Sequence, residues 1–122
     1  MKAAGVRGMP VGATFMYWTG AENIWEDPLK CVAEYPGLDS EASSWILDRG
    51  VAYVCTDASA TDNPPDLRCR GHLIYGERPI VHTELVANMR RIPRHKRFYA
   101  IALPQTLEGV ADSPMRMITL WQ

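Results

Sequence analysis

Five polar residues have types and spacing suited to chemistry: Asp57, Asp62, His72, His82 and Glu84. His82 and Glu84 stand at i and i+2, and on an extended strand such positions share one face. His72 lies twelve positions before Glu84, and the two bracket the segment Gly76–Glu77–Arg78–Pro79, which reads as a turn. Imidazole with carboxylate is the donor mixture that suits zinc or manganese. Three such groups can hold one ion and leave a position for water, whose pKa the ion lowers toward neutrality. His72, Glu84 and His82 are therefore the candidate metal ligands, and His72 and Glu84, with Asp57 as a polar neighbour, are the candidate catalytic groups. Each also has a plainer reading. A lone strand histidine serves as a structural or surface residue, and a carboxylate at a strand-to-helix junction caps the helix. Asp57 and Asp62, in a loop rich in turn residues, form Asx turns by default.

The elements that must position these residues read as a mixed α/β set. Residues 1–10 are rich in glycine and small residues and form a loose lead-in ending at Pro10. Val11 to Trp18 is apolar, with aromatic and β-branched members, and reads as a buried strand. Residues 21–37, with two prolines and a terminal glycine in 28–37, read as a loop holding one helical turn at most. A helix then starts at Asp39–Ser40: either side chain can cap it, Glu41 suits the positive end of its dipole, and Ala42, Trp45 and Ile46 make one apolar stripe. Gly50 stops it. Val51 to Cys55 is a continuous apolar run, as expected of a strand buried on both faces.

Residues 56–71 read as a long polar loop, a kind usually functional or disordered in compact domains. Pro79 to Leu85 reads as a strand, Glu84 to Arg91 as the start of a short helix, and Arg97 to Leu103 as a strand closed by Pro104. Met115 to Trp121 alternates and is the last strand, after a turn over Gly109–Pro114. The sum is about five strands with two or three short helices, an α/β class.

Bulk properties bound the function. A chain of 122 residues is one domain by the usual size prior, long enough for a hydrophobic core without staples. The formal net charge is −1, and the densest basic stretch, Arg90–Arg91 and Arg94–His95–Lys96–Arg97, is short and broken by Pro93. That reads as a solvated helix end and loop, so neither nucleic acid nor a membrane surface is an expected partner. Cys31, Cys55 and Cys69 are widely spaced without a C-x-x-C pair, which leaves a zinc finger or redox motif unsupported. Cys55, at a strand end, reads as a small core residue. No signal-peptide core or membrane-length apolar run is visible, so the expected location is cytoplasmic.

The order of the segments resembles the C-terminal half of the cyclase family, which includes kynurenine formamidase and isatin hydrolase. The resemblance is carried by the P-G-L-x-x-x-A-x-x-W helix, the strand ending in a Thr-Asp step, the His72-x11-Glu84 spacing, Asn88–Met89 and the closing S-P-x-R turn of Ser113, Pro114 and Arg116. It runs over roughly residues 11–120 and implies a truncated domain of the swivelling β/β/α type. It also implies an enzyme acting on a small cyclic or carbonyl compound, by amide or lactone hydrolysis or the related ring closure, at a zinc or manganese site. His72 and Glu84 correspond to two ligands of that family, and Asp57 falls in its loop after the central strand. Family members are commonly dimers or tetramers, so a homo-oligomer is expected.

Three departures accompany the match. The family's N-terminal H-x-G-T-H-x-D segment has no counterpart before Val11, Cys55 stands where a glycine is common, and His82 stands where an apolar residue is common. Three readings follow: a partner subunit carries the other half, His82 completes a reduced site with His72 and Glu84, or the fold serves without metal. The last covers a scaffold that completes a site on a partner chain or second copy, and acid/base work by His72 and Glu84 as proton carriers.

Overall fold

The computed structural model describes residues 8–78, 80–94 and 97–121. It shows a small mixed α/β protein with five strands and three α-helices among the described residues. The chain divides into two compact units, Met1–Met89 and Arg90–Gln122. No helix among the described residues is long and apolar enough to cross a membrane.

The first unit is built on a parallel three-stranded sheet in the order β1 (Thr14–Tyr17), β2 (Tyr53–Thr56), β3 (Val81–Thr83). Parallel neighbours need crossover connections. The first carries a 3₁₀ turn (Ala21–Ile24), α1 (Pro28–Ala33) and α2 (Ser40–Leu47); the second carries α3 (Arg70–Glu77). Thr14 pairs with Tyr53 and Tyr53 with Val81, so the strand ends lie level across the sheet. The central strand is the buried one: Val54, Cys55 and Thr56 are shut from solvent, as the apolar run 51–55 predicts. Ile46 and Leu47 of α2, Val51, Val54, and Tyr75 of α3 form the core, with Phe15, Trp45 and Ile74 packed against it.

α2 starts and stops as its sequence dictates. Asp39 accepts a hydrogen bond from the Ala42 N–H at 2.7 Å, and Gly50 takes a left-handed φ of 74° just past the end.

Several expectations are corrected. The first strand is shorter than Val11–Trp18 and only half-buried; Val11 is 86% exposed. The region 21–37 is mostly helical. It holds α1, started by Asp27, whose carboxylate accepts from the Leu29 and Lys30 N–H groups at 3.2 Å, with Pro28 at the first helical position where its missing N–H costs nothing. Gly76 and Glu77 are not a turn but the last residues of α3. Among the described residues after Glu84 there is no α-helix, only a short 3₁₀ turn at Met89–Arg91. Pro79, His95 and Lys96 lie outside the described residues, as does most of the N-terminal lead-in.

The second unit is an antiparallel hairpin of β4 (Phe98–Pro104) and β5 (Met115–Trp121). Pairings of Tyr99 with Leu120, Ile101 with Ile118 and Leu103 with Arg116 place these residues on one face of the ribbon, and the apolar ones among them are exposed.

Candidate functional site

α3 begins without a cap from its own N-cap residue. Cys69, at that position, sits in the left-handed region at φ 48°, and its side chain makes no capping bond. Among the orphan N–H groups of the first turn, that of Arg70 donates to Asp66 Oδ2 at 3.4 Å, and the next two are served by Asp62, which is only 3% exposed. Its Oδ1 accepts from the Gly71 N–H at 2.5 Å, and its Oδ2 accepts from the His72 N–H at 3.3 Å. A negative group there also meets the positive end of the helix. Asp62 Oδ2 pairs in addition with Nδ1 of the His72 ring.

Two glycines make room for this carboxylate. A Cβ on Gly71 would lie 2.5 Å from Asp62 Oδ1, and a Cβ on Gly37 would collide with the Asp62 backbone carbonyl. The Gly37 approach is held by the Leu38 N–H, which donates to the Thr61 carbonyl at 2.7 Å beside a parallel bridge between Leu38 and Asp62.

Glu84 follows β3 directly. Its Oε1 accepts from the Thr61 N–H at 2.8 Å. Beyond it Leu85 turns left-handed, φ 52°, and the Leu85 and Val86 N–H groups donate to the Ala58 and Thr56 carbonyls, both at 2.9 Å. The chain is thus fastened back onto the loop after β2. His82 sits on β3 opposite Val54, its ring 5.3 Å from that of Tyr75 and edge-on to the His72 ring at 4.7 Å.

Three donor atoms converge as a result. His72 Nε2 lies 3.2 Å from His82 Nε2 and 3.4 Å from Glu84 Oε1, and His82 Nε2 lies 3.6 Å from the same oxygen. The three residues expected as metal ligands form one group, half-buried, with its ligand atoms all mutually close. The expected sharing of one face by His82 and Glu84 holds, although the strand itself ends at Thr83.

Burial shapes the electrostatics. It pushes the His82 imidazole below its ordinary value of 6.5, helped by the neighbouring His72, with Asp62 opposing. It pushes the Glu84 carboxyl above its ordinary value, a rise partly offset by the Thr61 N–H and by His72. The Tyr35 phenol is raised by burial first, then by the negative charges of Glu84 and Asp62. It therefore stays an O–H donor at neutral pH within the field of the cluster.

Asp57 is placed elsewhere in purpose. It is fully buried, and its carboxylate accepts from the Thr19 N–H at 2.7 Å, the Thr19 hydroxyl at 2.8 Å and the Glu22 N–H at 3.2 Å, while its carbonyl accepts from Trp25 Nε1 at 3.0 Å. These bonds tie the end of β1 and the first 3₁₀ turn to the end of β2, and Asp57 is not a member of the histidine–glutamate group. Cys55, pushed up to about 12 by burial, is a core thiol rather than a nucleophile.

The residue that sequence reasoning left as an Asx turn is Asp62. Its only sequence signal is Gly71 beside His72, a small residue where a buried carboxylate approaches the helix. Comparison of the chain with protein-family models gives no match, and comparison with curated proteins gives none either.

Proposed function

We propose that this protein is a hydrolase of the cyclase type, acting on a small cyclic or carbonyl compound by amide or lactone hydrolysis or the related ring closure, with zinc or manganese held by His72, His82 and Glu84. The observation that supports it is the triangle of donors. An ion ~2.0–2.1 Å from each donor at tetrahedral angles needs them ~3.3 Å apart, and the sides measure 3.2, 3.4 and 3.6 Å. When bound, such an ion supplies Lewis acidity, polarising a carbonyl oxygen and making water a nucleophile near neutral pH.

The chain's own groups do the remainder. Burial keeps His82 neutral, so its ring can hold its one proton on Nδ1 and offer the Nε2 lone pair to an ion. Thr61 holds the carboxylate of Glu84 by a backbone N–H. The segment order resembling the cyclase family agrees with this reading, with His82 supplying a third donor.

Elemental analysis of the purified protein and titration with zinc test it. The expected result is one equivalent of metal, lost in His72→Ala and in Glu84→Ala together with turnover of cyclic amides or lactones. Protein that carries no metal and takes none up removes the mechanism.

A second reading has its own support. The exposed hairpin face of Tyr99, Ile101, Leu103, Ile118 and Leu120 is the kind of apolar surface that another chain covers. It favours a metal-free subunit that completes a site with a partner chain or a second copy. Size-exclusion chromatography together with metal analysis separates the two readings: a strictly monomeric, stable, metal-binding protein counts against this one, and a metal-free oligomer against the first.

A further inference from the structure

Resting on the metal-site reading above, we propose that Asp62 is the positioning residue of that centre: it fixes His72 as the Nδ1–H tautomer and so presents a bare Nε2 to His82 and Glu84. An ionised carboxylate only accepts hydrogen bonds. Both oxygens of Asp62 already face N–H groups, Oδ1 the Gly71 amide at 2.5 Å and Oδ2 the His72 amide at 3.3 Å. His72 Nδ1, paired with that same Oδ2, is therefore on the donor side of the bond. A neutral imidazole has one N–H, so Nε2 carries the lone pair that an ion would use. Across the 3.2 Å gap between the two Nε2 atoms, the donor is then His82. The two histidines stand in opposite tautomers in the metal-free protein.

The arrangement does more than add a hydrogen bond. Asp62 holds the backbone of the first helical turn and the ring that projects from it, so ring orientation and helix start are set by one buried side chain. Partners of this kind, gripping the distal nitrogen of a ligating histidine, raise its basicity and orient it, and their loss typically costs about 10–100-fold in metal affinity.

Asparagine at this position cannot do the same work. It has one acceptor oxygen where Asp62 uses two, and the Gly71 amide is fixed in the backbone while the imidazole can change tautomer. The oxygen stays on Gly71, the NH2 faces Nδ1, and the ring proton moves to Nε2, the atom the ion needs.

The test is two-bond 15N–1H correlation NMR of the metal-free protein at neutral pH, with zinc affinity read by chelator competition. Expected are a protonated Nδ1 at His72 and a protonated Nε2 at His82 in the native chain. In Asp62→Asn, His72 should switch to the Nε2–H form, with about 10–100-fold weaker zinc binding. His72 as the Nε2–H tautomer in the native chain overturns the proposal, as does an Asp62→Asn protein with unchanged tautomer and unchanged affinity. Should Asp62→Asn fail to fold, the native spectrum alone decides. The tautomer is read without metal, so a native Nδ1–H signal in a protein that takes up no zinc upholds the hold of Asp62 on His72 and defeats the metal reading instead.

Discussion

Burial acts on His82 and Glu84 in opposite senses. The imidazole is held below its ordinary 6.5, so its contribution to stability is complete above that pH. As pH falls through 6.5 toward the lowered folded value, the unfolded chain takes the proton first and stability is lost. Glu84, raised above its ordinary 4.5, contributes fully below 4.5, and that contribution is lost as pH rises through its raised value. On mild acidification the histidine therefore destabilises while the glutamate opposes it. We expect His82→Gln to flatten the fall of Tm between about pH 6.5 and 5; thermal unfolding at stepped pH measures it, and equal slopes in the two proteins would contradict the assignment. The donor types were legible in the sequence because imidazole and carboxylate announce their chemistry. Asp57 and Asp62 were not separable there. They are the same residue type in the same loop, and only tertiary contacts make one a tie between loops and the other a support for His72.

At the scale of elements, α2 and α3 mark what local sequence can and cannot say. α2 carries its own cap and stop, Asp39 and Gly50, and both work as read, while its buried face is Ser43, Ile46 and Leu47, with Ala42 and Trp45 of the expected stripe only partly buried beside it. α3 has eight residues, an N-cap residue that makes no capping bond and glycines at 71 and 76, so its propensity is poor, and its N-terminus is served by Asp66 and Asp62 of the loop that leads into it.

The two glycines should respond in opposite directions. In Gly71→Ala the new methyl would meet Asp62 Oδ1 at 2.5 Å and Ser43 Oγ at 3.2 Å, which should cost about 1–3 kcal/mol and weaken zinc uptake. Gly76 has open space around it, and Gly76→Ala should gain about 0.5–1 kcal/mol through lower backbone entropy in the unfolded chain. Urea unfolding of the two variants beside the native protein checks both signs.

For the whole molecule, the strands were legible as apolar runs, but their grouping was not. Pairing of β1 with β2 spans nearly forty residues (Thr14 to Tyr53), whereas β4 and β5 are joined by a local turn. Sequence length alone gives no warning that the hairpin belongs to a separate compact unit. Zinc at the cluster should therefore slow hydrogen exchange at the central-strand amides of Val54 to Thr56, by about 2.7 kcal/mol of added protection at a hundredfold excess over Kd. Amides of Phe98 to Leu103 should be indifferent to it. Exchange followed by mass spectrometry with and without zinc reads this directly, and equal protection of both segments would show that they open together.

Two consecutive residues end up governing the spacing of the donors. Thr61 grips Glu84 through its amide, and the next residue, Asp62, grips His72 through its carboxylate. Two segments that meet at the cluster from different directions are thus gauged by neighbouring residues of one loop. On the proposed metal reading, the donors already stand at the spacing an ion needs. Loading should leave the far-ultraviolet circular dichroism unchanged and carry a heat-capacity change near zero, since scarcely any apolar surface is left to bury.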